Sequence, residues 1–486
     1  MFQYTDVYST AEKRSYNLHL AFAILCLPLY ILMSSTFGLI ISPYLIFLAL
    51  NPKPQYLLPV IIHMAYGSQQ RAFFCLGCFI YVMIHFGELR KYSLGLLYAL
   101  YVALLPFFIW YVIQKYNGPR FVGGIGEVTG GISEYLAFST AFWGALAIKK
   151  IGREFILGLL GWSVFLVFVV SFKTSSDSVM SSNVDIVGGI SLFSREVFFA
   201  IPFLLAALYA FWFREKRKFS AERLLATFGC FLLLLDALHI LKASITFTQL
   251  GLCMFACMLV YLSKYSRRKV LVALNPIFFF AISLVVVLYS AQLVEKYGGL
   301  YSDMGTYDEM KVDSLDSFFK KLQRKTVDDR AFVWQLNLQH ISKLWHEQPI
   351  FVDTSPVIKG KGIKNGQYYD IETIMGAHNT LLQLLRQYGF YGGLGLYLIF
   401  IAFFCKKDTT MFLSRNGQNP IVALMATCVA EGVIGGHTGH YPIQIGFSPV
   451  VFSCMGACWR ILNDSRIFRT NGFCLSDIDY VHPWRG

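Results

Sequence analysis

The residues of this chain best suited to chemistry gather just before, and at the start of, one long apolar run. His378, Asn379 and Thr380 open that run, and Gly389 and Gly392 follow, so that the stretch reads H-N-x9-G-x-x-G. Imidazole titrates near neutral pH and accepts a hydroxyl proton as a general base. At a helix start, His and Asn also sit beside backbone N–H groups that lack partners, at the positive end of the macrodipole, which favours an anionic ligand such as phosphate. The competing assignment is an ordinary capped helix, with Asn379 as the cap and His378 on the surface. Upstream stand Asp329-Arg330-Ala331-Phe332-Val333-Trp334, then Pro349, then a glycine- and lysine-bearing stretch to Lys364. Guanidinium grips two phosphate oxygens at once and keeps its charge, so Arg330 near a membrane face suits a pyrophosphate. The alternative for Arg330 is a surface ion pair with Asp328 or Asp329.

What must position these groups is a bundle of membrane helices. With 56% hydrophobic residues and only 15% charged, at a mean hydropathy of +0.52, the 486 residues carry more apolar surface than a soluble core hides. The expected class is all-α, a polytopic bundle of about 12–14 transmembrane helices with one long outward loop. Asn17 to Leu50 is too long for one span and reads as a tight hairpin of two helices. Shorter apolar runs follow at about 55 to 67 and 72 to 88, then spans at about 93 to 114, 131 to 148, 153 to 171, 194 to 213, 222 to 240, 246 to 263 and 269 to 293. After the loop come about 378 to 405, 419 to 437 and 443 to 461. The chain therefore divides into an N-terminal bundle (1–293), a periplasmic loop with short helices (294–377), C-terminal membrane helices (378–461) and a cytoplasmic tail (462–486). The loop's stretch from Ala331 to Leu344 is amphipathic, with Phe332, Trp334, Leu336, Leu338, Ile341 and Leu344, and predicts a helix against the membrane or capping the bundle.

The formal net charge of +13 belongs to topology rather than to nucleic acid. Lys149-Lys150 with Arg153, the run Arg214 to Lys218, Lys264 with Arg267-Arg268-Lys269, and Lys406-Lys407 alternate with base-poor connections. The clustered side is cytoplasmic under the positive-inside rule, which puts both termini inside and the 294–377 loop outside. That loop holds about eleven basic against about twelve acidic residues, and long loops are exempt from the rule. The polar start through Arg14 has no small-residue cleavage site and leads into a first membrane helix rather than a removed signal peptide. The eleven cysteines fall in apolar helices or the tail and imply neither disulfides nor zinc. The aromatic residues read mostly as lipid-facing surface and interface belt.

The order Arg, Trp, Pro, glycine-bearing loop and helix-opening His-Asn, with the glycine pair after it, resembles the diagnostic segment of the O-antigen ligase and O-antigen polymerase superfamily of bacterial membrane glycosyltransferases. The likeness covers about seventy to ninety residues in detail. It implies an inner-membrane, multi-pass, metal-independent inverting glycosyltransferase with no cofactor. Its donor would be an undecaprenyl-diphosphate-linked glycan and its acceptor a glycan or lipid A core, among membrane lipids, with a chain-length regulator as an optional partner. Carried onto this sequence, Arg330 holds the pyrophosphate and His378 acts on the acceptor hydroxyl. A second outward base precedes the loop in that family, and Arg195 and Lys242 are the candidates here. In Leu241-Lys242-Ala243-Ser244-Ile245, Ile245 stands where many relatives carry arginine after the serine. Arg386 and Gln387 occupy positions where many members have glutamate. Polymerase is favoured by the long chain and loop, ligase by the H-N-x9-G-x-x-G match.

Other polar residues stand near outward helix ends, where they either pair or meet substrate: Glu134, Asp236, His239, Glu431, His437 and His440. Asn379 and Tyr369 are candidate substrate contacts, and Tyr368, Tyr369 and Tyr441 are rings able to stack on a sugar face. No phosphate-binding G-x-x-x-x-G-K-[ST] loop, HExxH or outward DxD occurs, so nucleotide hydrolysis and metal-dependent transfer find no support. The rival class is a transporter of lipid-linked glycans, which would place its polar residues near the bilayer midplane and would need no eighty-residue outward loop.

Overall fold

The structure, a computed structural model, describes residues 8–65, 68–117, 135–171, 184–185, 191–192, 196–212, 220–237, 247–263, 276–290, 292–293, 331–347, 358–364, 367–373, 379–406, 409, 421–436 and 448–470. It is predominantly helical, with two short antiparallel hairpins. Among the described residues, two stretches are long and apolar enough to cross a membrane, Gly95–Gln114 and Thr380–Cys405. A third counts if Gln70–Ile84 and Phe86–Tyr92, which meet at 81°, form one broken span.

α1 (Thr10–Leu50) is helical along its length yet folds back on itself. At 1.5 Å per residue, His19 and Tyr44 would stand about 37 Å apart in a straight helix. Instead His19 Nδ1 and the Tyr44 hydroxyl are 2.6 Å apart, and the Tyr30 and Phe37 rings meet at 4.8 Å. Two antiparallel arms result, and the hairpin expected over Asn17 to Leu50 is present, with its reversal between Tyr30 and Phe37.

The first of the next two runs needs correction. α2 (Leu57–Met64) has eight residues, about 12 Å of helix against about 30 Å of hydrocarbon, so it cannot span alone. It is wholly buried, and Arg71 at the start of α3 (Ser68–Ile84) reaches back to donate from Nε to the Met64 carbonyl at 2.8 Å. That bond satisfies an acceptor that the end of α2 would otherwise leave open. Gly77 of α3 lies so close to the last turns of α1 that a Cβ there would sit 2.7 Å from Ala49 Cβ.

α4 (Phe86–Leu89), α5 (Gly95–Ala103) and α6 (Leu105–Asn117) lead on to the centre of the molecule. α7 (Ser139–Ala147) is buried at every position. It runs beside α16 (Ser448–Thr470), where a Cβ on Gly144 would fall 2.3 Å from the Ser453 carbonyl oxygen and one on Gly456 2.0 Å from that of Ala141. Small residues let two backbones touch, which is how apolar helices gain packing where hydrophobic burial gives them little. Much of the aromatic content is interior rather than lipid-facing: Tyr98, Tyr101, Tyr135, Phe138 and Phe142 are buried and pack ring against ring. Tyr101 and Tyr135 each donate a hydroxyl to the other's backbone carbonyl, which satisfies the polar end of each ring.

α8 (Arg153–Ser171), a small β1–β2 pair (Val184–Asp185 with Ser191–Leu192), α9 (Glu196–Trp212), α10 (Ala221–Ala237), α11 (Phe247–Leu262) and α12 (Pro276–Leu288) complete the first half. Among the described residues of the long connection is a helix, α13 (Phe332–Glu347), where the amphipathic pattern predicts it. It also holds strands the reading of that loop as short helices did not include: β3 (Ile358–Lys364) and β4 (Gln367–Thr373) pair antiparallel, Ile358 opposite Thr373 through Lys364 opposite Gln367. α14 (Thr380–Cys405) and α15 (Ile421–Ala430), which continues as a π-turn over Glu431–Gly435, close the chain with α16.

Candidate functional site

Asn379 is the N-cap of α14. Its backbone is extended at φ −157° and ψ 131°, and its Oδ1 accepts from the amides of Leu381 at 2.9 Å and Leu382 at 3.3 Å. Two of the amides that the sequence offered to a phosphate are therefore taken by the cap itself, and the start of α14 is a weaker anion site than its sequence suggests. His378 immediately precedes this cap in the chain; it lies outside the described residues, as do Arg330, Arg195 and Lys242. Glu134, His239, His437, His440 and Tyr441 also lie outside them.

What the structure does bring together is the two elements that follow Arg330 and His378. Trp334 of α13 and Leu382 of α14 share a small apolar cluster with Val287 of α12. One turn further along both helices, Arg386 Nη1 donates to Asn337 Oδ1 at 3.4 Å, and beyond that Trp345 meets the Phe390 ring at 3.8 Å. Contacts that advance along both chains in the same sense mean that α13 runs parallel to the first half of α14. Their N-termini, Ala331 and Asn379 being the first described residues of each, stand at the same end.

Asn337 is fully buried and also donates to the Val333 carbonyl at 2.7 Å. The Asn337–Arg386 contact was not foreseen. Its signal was a polar residue within the apolar face Trp334, Leu338 and Ile341, where burial without a partner would be costly.

The glycines of the motif have a structural cause. Gly389 sits at φ 72° and ψ 176°, backbone open to glycine and strained for other residues, and it breaks α14 into two helical segments. Past the break, a Cβ on Gly393 would lie 2.4 Å from the Leu384 carbonyl oxygen and one on Gly392 2.7 Å from Phe107. The buried first segment, Thr380 to Tyr388, is thereby turned away from the apolar second. Tyr369 stands in β4 opposite Gly362 of β3.

Glu431 lies inside the packed helices. It follows ten residues of α15, about 15 Å of helix, is fully buried, and neither carboxyl oxygen has a hydrogen-bond partner. It opens the π-turn, a distortion often found at functional positions. Among the described residues, no three His, Cys, Asp or Glu side chains gather as metal ligands. No family model matches the chain, and no curated protein is detectably similar to it.

Proposed function

We propose that the protein is an inner-membrane glycosyltransferase that polymerises polyprenyl-diphosphate-linked oligosaccharide repeat units on the periplasmic side, as an O-antigen or exopolysaccharide polymerase does. The observation that supports this reading is the parallel packing of α13 on α14, two helices whose first described residues, Ala331 and Asn379, directly follow Arg330 and His378 in the chain. In the chain, a cation suited to the leaving group and a base suited to the nucleophile each stand just ahead of one of these two helices.

The chemistry follows from those two groups. His378 takes the proton of the acceptor hydroxyl, the oxygen attacks the anomeric carbon, and the bond from that carbon to the diphosphate oxygen breaks. The charge that builds on the departing diphosphate is met by Arg330 and a second outward base, Arg195 or Lys242. Asn379 fixes the start of the helix, and Tyr369 offers a ring to a sugar. Inversion in a single displacement comes from the family resemblance. The arrangement sits in a bundle of about 12–14 membrane helices with both termini cytoplasmic. Transfer to lipid A core, the ligase reaction, uses the same groups with a different acceptor.

Replacing Arg330 tests the reading. Arg330→Lys is expected to lose turnover nearly as far as Arg330→Ala, because lysine is a point charge and cannot grip two phosphate oxygens. Near-normal turnover in the lysine variant would reduce Arg330 to surface charge.

A second reading has one observation in its favour. A fully buried Glu431 well inside the bundle is what a proton-coupled transporter of lipid-linked glycans would carry. Proteoliposome transport that Glu431→Gln abolishes, with no new glycosidic bond, would establish it.

A further inference from the structure

Glu431 is not among the groups that the proposed transfer uses, yet the turn it opens makes room for its carboxyl. The stretch reads Glu431-Gly432-Val433-Ile434-Gly435-Gly436, and two of its glycines answer different needs. A Cβ on Gly432 would lie 2.2 Å from the Phe404 ring, so α14 packs directly on this backbone. A Cβ on Gly435 would lie 2.8 Å from Glu431 Oε2 and 3.8 Å from Leu252 Cδ2 of α11. The carboxyl therefore folds along its own turn, beside α11, into the gap that a missing side chain leaves.

That gap offers no polar partner. Glu431 is fully buried, and among the described residues no donor reaches either carboxyl oxygen. The titratable groups around it are thiols: Cys253 of α11 and Cys428, one turn back on α15, stand within its electrostatic reach. α12 also packs on the turn and carries no titratable side chain from Pro276 to Leu288. α14 presents Phe404, followed by another thiol at Cys405. An ionised carboxylate would have neither a counter-ion nor a hydrogen bond here, so this arrangement fits the neutral acid, and ionising it requires the surroundings to change.

The backbone is built for such a change. The Gly436 amide donates to the Glu431 carbonyl, five residues back, as in a π-turn. A π-turn holds one residue more than an α-turn, and returning it to α register rotates one side of the helix against the other by about 100°. We propose that Glu431 is a proton-binding site in the core of the bundle, loaded while the carboxyl lies in the Gly435 gap and emptied when the π-turn shifts register. The site rests on neither reading of the function: transfer gives Glu431 no part in making the bond, and transport would require, beyond this site, a glycan that moves.

The test uses the full chain in nanodiscs and dicyclohexylcarbodiimide, an apolar reagent that adds to a neutral carboxylic acid. The acid proton passes to a reagent nitrogen, the carboxyl oxygen bonds the central carbon, and the adduct rearranges to a stable N-acylurea that peptide mass spectrometry locates. The site predicts labelling at Glu431 that falls about tenfold for each pH unit above its midpoint and is indifferent to sodium. Labelling should drop severalfold in Gly435→Ala, whose methyl displaces the carboxyl. Amide exchange over 432–436 should be faster in wild type than in Glu431→Gln at high pH and equal at low pH, because glutamine keeps the shape and cannot ionise. Wild-type labelling needs no variant, so it decides even where a substitution prevents folding. No label at Glu431, or labelling that ignores pH, would make it a sealed structural acid and overturn the proposal. Protection by sodium at fixed pH would overturn it in favour of a cation site, and equal exchange in the two proteins at every pH would overturn the part given to the π-turn.

Discussion

At the scale of single residues, Asn379 shows both what sequence exposes and where it stops. An Asn before an apolar run reads as a cap, and the structure gives it that bond. The same bond removes amides that the sequence alone leaves available to phosphate, because a list of residues does not say which donor an acceptor has already taken. The Asn337–Arg386 pair joins residues forty-nine apart in the chain and has no local signature beyond one misplaced amide. For His378 the proposed role as base separates cleanly from a positioning role. Turnover should fall on the order of a hundredfold in His378→Ala, and His378→Gln should fail almost as badly, since glutamine hydrogen-bonds but takes no proton at neutral pH. Donor binding in both variants should persist. Rescue by glutamine, measured as turnover at matched protein levels, would assign His378 to positioning.

At the scale of elements, Gly389 carries the sharpest expectation. Gly389→Ala places a side chain at φ 72° and should cost about 1–3 kcal/mol, lowering the thermal midpoint and, by disturbing the angle between the halves of α14, turnover as well. Gly161→Ala is the control: no atom lies within 4 Å of the added Cβ, and in a helix interior the change should stabilise by about 0.5–1 kcal/mol. Equal midpoints for the two variants would remove the kink from the account. Apolar length made the α1 hairpin legible, because about 34 residues exceed one membrane crossing. The same rule misled at 55 to 67, where hydropathy cannot distinguish a crossing from a buried eight-residue turn of helix held by Arg71. The β3–β4 hairpin had a signal that went unread: Asn365-Gly366 lies between its strands, and that dipeptide favours tight hairpin turns. The aromatic residues went to the lipid face on composition, while their burial depends on which helices meet.

At the scale of the whole molecule, the charged end of the bundle tethers its N-terminus. Glu12 pairs with Lys150 at 2.9 Å, and Lys13 with Glu154 at 3.1 Å. The hydrogen bond from Lys150 holds the Glu12 carboxyl below its ordinary range. A carboxylate shifted down contributes stability above its unfolded pKa and loses it as pH falls through the folded value. The midpoint difference between wild type and Glu12→Gln should therefore be small, since the pair is partly exposed, present at neutral pH and gone in acid. A difference that persists in acid would mean the pair contributes through packing rather than charge. The claim on which everything else depends is that this bundle makes glycosidic bonds outside the cytoplasm from a lipid-diphosphate donor. Incubating the purified protein in nanodiscs with one lipid-linked repeat unit, and resolving the products by length, measures this directly. The account predicts a ladder of lengthened glycans with release of the polyprenyl diphosphate; repeat units that stay single, with or without added lipid A core, would contradict it.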